Sequence, residues 1–463
     1  MKKRKTITKK HIKKQKGRAN IIIKYKWKGG EKTGDQLQTE ASEIIRRNPD
    51  FWGVLFETPM ELVHFKRFID IIIKEYINTS EDSILFSEFV PQINFLRHSP
   101  ALNSEQAKVL RVLILIIGLL SAFIDKKINN ARPSNRYKYD LIFKGGMAVE
   151  MAAFKYSYTN YGMDYYEKYL KLLGDYSTDD ADLLVLVHEI SSDNKTIYNE
   201  MRSRETAIEI GHMIRWLLED VPQPISMRDN TEVSPGHVVK ISILDYGDKY
   251  KALMDINFKF PEHSYFLYNL GSIESSIPDF FRETESSDYS ILIKYISSRS
   301  LINERIYYLL KYSNPELARQ NTKVLISIHR SLKVLLNLQL LYEPNNLNEP
   351  DDVRKIGYIM EMLQKYDTGN EKYRRPDGAA TNESLLRFLL EPLEYDRHTL
   401  ITHFEYPRHH QVPAFYPHPY PHLYPYPYYS MPSYVMDPTQ QVLGTKPRRR
   451  NPRKNRKSTS TII

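Results

Sequence analysis

The segment Ser177-Thr178-Asp179-Asp180-Ala181-Asp182-Leu183-Leu184 sets two carboxylates two positions apart at the mouth of an apolar run. In an extended strand alternate side chains share a side, so Asp180 and Asp182 would face the same way with their Cα atoms ~7 Å apart. Carboxylates paired like this suit divalent cations that take oxygen ligands, Mg²⁺ above all. A solvated acidic turn has the same composition, and unpaired buried carboxylates are costly, so the pair needs partners from elsewhere in the chain. Upstream, Phe143-Lys144-Gly145-Gly146 closes a short apolar run and opens a helical stretch. Adjacent glycines let backbone approach a phosphate closely, and a helix N-terminus offers unpaired N–H donors there, although most Gly-Gly pairs are plain turns. Downstream, in Lys251-Ala252-Leu253-Met254-Asp255-Ile256-Asn257-Phe258, alternation puts Ala252, Met254, Ile256 and Phe258 on one side. Asp255 falls on the other with Lys251, Leu253 and Asn257, as a third carboxylate or as a solvated residue on an open sheet face. Asp245 is its rival, but it sits in Leu244-Asp245-Tyr246-Gly247, where a turn expects aspartate for local hydrogen bonds.

The elements that would hold these residues are legible in outline. The run at 139–143, a strand from Asp180 to Val187, and a hairpin of Val238–Leu244 with Tyr250–Phe260 through Tyr246-Gly247-Asp248 alternate with helices over 147–156 and 199–218. This pattern suggests an α/β or α+β domain, with α+β the class expected. Ahead of it, residues 19–50 look loosely ordered, with Gly29-Gly30 and Gly34-Asp35 as breakers. Thr58-Pro59-Met60-Glu61 then starts a helix to about Ile77, with Thr58 as N-cap, Pro59 at the first helical position and Glu61 closing a capping box. Asn103-Ser104-Glu105-Gln106 starts another that is apolar nearly all round and so buried. Residues 129–135, with Arg132-Pro133-Ser134, form a turn. Helical periodicity returns from about 287 to 395, notably over 300–311 and 317–341. The boundaries that follow are a basic arm over 1–30, a helical region over 31–135, the acid-bearing domain over 136–265, a helical domain over 266–400 and a tail over 401–463.

Charge and composition narrow the function. The chain has 463 residues, 41% of them hydrophobic, and a formal charge of +10. Residues 1–18 alone carry +10 and residues 446–457 carry +8, neither with an acid, which leaves the remainder near −8. Such tails attract polyanions without reading sequence, through counterion release, or serve as localisation signals. Residues 404–438 hold nine prolines and eight tyrosines, which favours extended polyproline II over helix or strand, as a linker or as a platform on which single-stranded bases stack. With no cysteine, the chain has no disulfide, thiolate metal site or cysteine nucleophile. The basic N-terminus lacks the apolar core of a signal peptide, and the run Val112–Ile124 is shorter than the ~20 residues a membrane span requires.

Lys-Gly-Gly at a strand–helix junction, then Thr-Asp-Asp-Ala-Asp-Leu, then one aspartate on a later strand resembles the polymerase-β-like nucleotidyltransferase superfamily. Residue by residue, Gly145 and Gly146 match its glycine pair, Asp180 and Asp182 its metal-binding pair and Asp255 its third acid. The match covers about 120 residues, and Gly146 and Asp180 stand 34 positions apart, wider than the superfamily's habit, so the tyrosine-rich 156–169 stretch would be an elaboration between them. The fold implied is a nucleotidyltransferase mixed sheet with helices, flanked by N-terminal and C-terminal helical regions. Size, helical flanks and the lysine-rich arm look most like the poly(A) polymerase catalytic subunits of large DNA viruses, of poxvirus, asfarvirus and mimivirus type. Bacterial toxin-type nucleotidyltransferases share the motif but not the long tails.

The resemblance implies template-independent transfer of AMP from ATP to RNA 3′ ends. Asp180, Asp182 and Asp255 would be catalytic and hold two Mg²⁺ or Mn²⁺ ions, and Gly145, Gly146, Lys144 and Thr178 would contact the nucleotide. It also implies a processivity subunit or a homodimer, no membrane, and the host cytoplasm or virion, with the nucleus open from the basic tails. Two other readings remain at this point: an inactive RNA-binding scaffold on the same fold, and an enzyme using UTP or modifying a protein.

Overall fold

The structure, a computed structural model, describes residues 32–77, 102–130, 136–191, 195–221, 225–229, 238–244, 249–259, 269–276, 290–342, 351–367 and 375–390. The basic arm, the Pro/Tyr segment, the basic C-terminal run, the 129–135 turn beyond Asn130 and Asp245 lie outside these residues.

Helices begin where capping chemistry is available. In α1 (Gly34–Arg47) the Thr33 hydroxyl accepts from Gln36 N and the Gln36 side chain accepts from Thr33 N, a reciprocal cap that overrides Gly34-Asp35 as breakers. The expectation of loose order over 19–50 is therefore corrected for its second half, where Leu37, Ala41 and Ile44 enter the core. After the single turn α2 (Trp52–Leu55), α3 (Pro59–Ile72) starts at Thr58, whose hydroxyl accepts from Glu61 N. Glu61 does not close the box: its carboxylate accepts from Glu57 N instead. The reading's last turn, 73–77, is a wider π turn.

Asn103 and Gln106 cap α4 (Ser104–Ile124), which is buried almost throughout. With its π continuation to Asn129, and like the half-buried helix at Thr322–Tyr342, it is long and apolar enough to cross a membrane by length and composition. In this structure it is core.

Among the described residues eight strands form one mixed sheet: β1 (Tyr137–Lys144), β2 (Ala181–Ile190), β3 (Thr196–Tyr198), β4 (Ile225–Asp229), β5 (Val238–Leu244), β6 (Tyr250–Asn257), β7 (Leu270–Ser276) and β8 (Ser290–Ile296). The order is β4-β5-β6-β2-β1-β8-β7, with β3 pairing the far end of β2. β2 runs parallel to β6 and β1 parallel to β8; the other pairs are antiparallel. The α+β class and the β5–β6 hairpin stand as read. The all-helical character expected of 266–400 does not, because β7 and β8 complete the sheet before the helices resume.

Between the strands lie α5 (Gly145–Tyr161), α6 (Tyr165–Leu173) and α7 (Glu200–Leu217). The 156–169 stretch is thus the end of α5 and the start of α6. After β8 come α8 (Ser298–Tyr312), α9 (Pro315–Gln320), α10 (Thr322–Tyr342), α11 (Asp351–Asp367) and α12 (Asn382–Leu390). The helix read as one over 317–341 is two, broken at Asn321.

Two glycines show which face α4 and α7 cover. A Cβ on Gly118 of α4 would lie 2.6 Å from Ile291 on β8, and one on Gly211 of α7 would lie 2.7 Å from Val239 on β5. The registers Tyr295↔Phe143↔Leu183↔Ile256↔Val239 put those contacts on one side of the sheet. The site lies on the other.

Candidate active site

Across that other face the registers align one residue from each of five strands: Lys144 on β1, Asp182 on β2, Asp255 on β6, Lys240 on β5 and Arg228 on β4. Neighbouring strands are ~4.8 Å apart, so Asp182 and Asp255, 73 residues apart in the chain, stand side by side. Like charges set abreast destabilise a sheet unless something offsets them. Cations at both ends of the row begin to do so.

Asp180 lies one residue ahead of β2 rather than inside it, so its closeness to Asp182 comes from the bend at 179–180 as well as from strand alternation. Its carboxyl is pushed up to about 7, first by burial and then by the negative charges of Asp182, Asp179 and Asp255, against the Lys251 ammonium. Asp180 therefore feels the charge of both other predicted acids. Lys251 is engaged by Asp179 in an ion pair.

Asp255 is the most tightly held of the three. Its Oδ2 accepts from Lys240 Nζ at 2.8 Å, while Oδ1 is buried with no hydrogen-bond partner. The expected open face beside it is partly closed: Leu253 and Asn257 are buried, and a bulge at Ile241/Ser242 leaves Leu253 without a partner on β5.

Gly145 and Gly146 are constrained by these same acids. Gly145 has φ +63°, a region L-residues avoid, and a Cβ there would collide with Asp182 Oδ2. A Cβ on Gly146 would come within 2.7 Å of Thr178 Oγ1 and 3.1 Å of the Tyr176 hydroxyl. α5 starts at Gly145 with Lys144 as N-cap and no side chain capping it. The free N–H groups and positive dipole end of α5 thus open beside the Asp182 carboxylate.

Thr178 is buried and fully used as a donor: its N–H bonds Glu150 Oε1 at 2.7 Å and its hydroxyl bonds the Asp180 carbonyl at 3.0 Å. The residue shapes the turn that carries Asp180. Glu150, on α5, is a participant that reading the sequence missed. It also accepts from Tyr169 at 3.2 Å, and burial pushes its carboxyl up to about 8 against the Thr178 and Tyr169 hydrogen bonds. Its signal was an acid inside the apolar stretch Met147-Ala148-Val149-Glu150-Met151-Ala152. Lys240 and Arg228 were also missed.

Among the described residues no group of three or more His, Asp or Glu side chains stands ready to enclose a metal ion. Asp255 is turned to Lys240, so the acids share a field without converging. The donor chemistry nevertheless fits a hard divalent cation: the ligands on offer are carboxylate oxygens, one of them an orphaned buried atom, in a cluster short of positive charge.

No protein-family model matches the chain, and no curated protein matches it. Among solved structures, the chain is similar to an antigenic nucleotidyltransferase-like protein from Paracoccidioides brasiliensis, at 13% identity and a TM-score of 0.21, over 50% of this chain and 89% of that one. A superposition this loose carries no argument about the fold or activity of this chain.

Proposed function

We propose that the protein is a metal-dependent nucleotidyltransferase that adds AMP from ATP to the 3′-hydroxyl of RNA without a template. The observation that carries the reading is the register of Asp182 against Asp255 on adjacent parallel strands, with Asp180 close enough for its charge to couple to both. Parallel neighbours bring together two acids far apart in sequence at the point where a glycine-bounded helix begins.

Asp180, Asp182 and Asp255 would hold two Mg²⁺ or Mn²⁺ ions. When bound, such ions neutralise the triphosphate and lower the pKa of the attacking hydroxyl. The N–H groups of the first turn of α5 would donate to phosphate oxygens, and Gly145 and Gly146 keep Cβ atoms out of that space. Lys144, at the glycine end of the row, would add a cation near the leaving pyrophosphate. Asp255 Oδ1 would accept the 3′-hydroxyl proton as that oxygen attacks the α-phosphorus and the α–β bridging P–O bond breaks.

Extension of a short labelled RNA with each of the four nucleoside triphosphates and Mg²⁺ or Mn²⁺ tests this directly. ATP-dependent lengthening is expected, lost in Asp180→Asn, Asp182→Asn and Asp255→Asn proteins that retain wild-type circular dichroism. Full activity in any of the three would remove that residue from the mechanism, and no transfer by the wild type with any nucleotide would end the proposal.

A further inference from the structure

Beyond Asp255 the row continues with two cations. Arg228 on β4 and Lys240 on β5 are register partners, so two positive side chains stand abreast on neighbouring strands. Like charges in that position oppose each other. Lys240 spends one donor on Asp255 Oδ2. Arg228 has no acid: among the described residues it makes no ion pair, and its Nε is buried without a hydrogen-bond partner. The adjacent Asp229 points to the opposite side of the strand. A half-buried guanidinium with no acid of its own, beside a lysine whose ammonium keeps donors beyond the one given to Asp255, is what an anion would satisfy.

Which anion follows from position. The acids occupy the middle of the row, Lys144 and the N-terminus of α5 one end, and Lys240 and Arg228 the other. In an in-line displacement the leaving group departs on the side opposite the nucleophile. If the triphosphate lies at the glycine end, the acceptor must arrive from the Lys240 end. We infer that Arg228 and Lys240 form a binding site for the phosphodiester backbone of the acceptor strand, holding phosphates just behind its 3′ terminus. The inference rests on the nucleotidyltransfer reading, because that reading fixes which end takes the nucleotide.

Spacing supports a strand over a single phosphate. Arg228 is two strands from Asp255 and so ~10 Å away, while Lys240 is one strand away at ~5 Å. The two cations therefore form a step leading from the reacting carboxylates toward the β4 edge of the sheet. Guanidinium and ammonium contacts to phosphate are independent of base, which suits an acceptor read for its backbone.

The test is binding without chemistry: anisotropy of a labelled RNA whose 3′ end is blocked, with the full-length chain, no nucleotide and no metal, across a salt titration. Each cation engaged on a single strand adds about 0.7 to the slope of log affinity against log salt, so one lost contact weakens binding roughly 8-fold at 0.05 M salt. Arg228→Ala and Lys240→Ala should each show that loss and the shallower slope, and the double variant roughly 60-fold. Arg228→Lys and Lys240→Arg, which keep the charge, should retain the wild-type slope and so separate charge from misfolding. Unchanged affinity and slope in both alanine variants would overturn the inference. So would wild-type labelling of a protein acceptor that both alanine variants retain, with no RNA extended. Failure of the wild type to transfer any nucleotide, with the salt-slope losses intact, would instead sink the catalytic reading and leave the strand-binding site standing.

Discussion

Gly145→Ala separates backbone strain from damage to the acid pair. At φ +63° an alanine costs about 1–2 kcal/mol in backbone energy, which in a unit of this size lowers the melting temperature by about 1–3 °C. The new Cβ also collides with Asp182 Oδ2, the mobile end of a side chain. The carboxylate can swing away at little cost to stability, but it then leaves its place beside Asp255. Gly162 and Gly174 provide the comparison, with φ +56° and +60° and nothing within 4 Å of an added Cβ. Gly162→Ala and Gly174→Ala should therefore lose stability through backbone strain alone. The assays are thermal unfolding and Mn²⁺ binding by calorimetry. Gly145→Ala should weaken Mn²⁺ at least tenfold, whereas the two comparison variants should bind it as the wild type does. If Gly145→Ala melts lower yet binds Mn²⁺ normally, the glycine serves only its turn, and the argument that it makes room for Asp182 is wrong.

Two titrations follow from buried carboxyls. Glu150, raised to about 8, keeps its proton in the folded chain at pH values where the unfolded chain has lost it. The stability it contributes is complete below about 4.5, falls as pH rises toward 8 and is gone above it, so melting temperature should decline through that window. Glu150→Gln, a neutral shape mimic, should flatten that decline, and an unchanged profile would mean that Glu150 titrates normally. Asp180, raised to about 7, should be mostly protonated at pH 6 and ionised at pH 9. A cation taken there must displace the proton, so Mn²⁺ binding should release close to one proton per site at pH 6 and almost none at pH 9, read by calorimetry in buffers of differing ionisation enthalpy. In Asp182→Asn the Asp180 carboxyl should titrate lower, because the largest of the neighbouring negative charges is gone; an unmoved carbon-13 carboxyl titration would refute the coupling.

What the sequence disclosed and what it concealed divide along the range of the interactions. Caps at Thr58 and Asn103 are local, and both helices start there. The β5–β6 hairpin is nearly local and was legible from alternation. Gly34-Asp35 misled because a glycine reads as a breaker while the Thr33–Gln36 cap spans only three residues around it. In β8 the buried Ile291, Ile293 and Tyr295 alternate with the half-buried Leu292 and Lys294, which offered a weak period-two signal. It was lost within a helical expectation for the whole region, and β7, with a single buried isoleucine, gave almost none. The candidate acids were visible as residue types, but their meeting was not. Nothing near Asp255 states that β6 lies parallel to β2 and in register with it, since that pairing joins segments 73 residues apart. Lys240 and Arg228 stayed hidden for the same reason, each an ordinary polar residue on an alternating strand until the sheet sets them beside the acids.

The distribution of countercharge then distinguishes the acids from one another. Asp255 has Lys240, Asp179 has Lys251, and Asp182 has the N-terminus of α5. Asp180 makes no ion pair among the described residues, and burial with its acidic neighbours pushes its carboxyl up to about 7. A fold selected only for stability would gain by replacing such a residue with asparagine, which keeps the shape and removes the repulsion. A carboxylate left deficient in positive charge, beside an orphaned oxygen on Asp255 and a glycine that admits no side chain, makes sense as half of an arrangement whose other half carries positive charge. Lys240 supplies one charge from the β5 side. A divalent cation held by Asp180 and Asp182 would supply the rest.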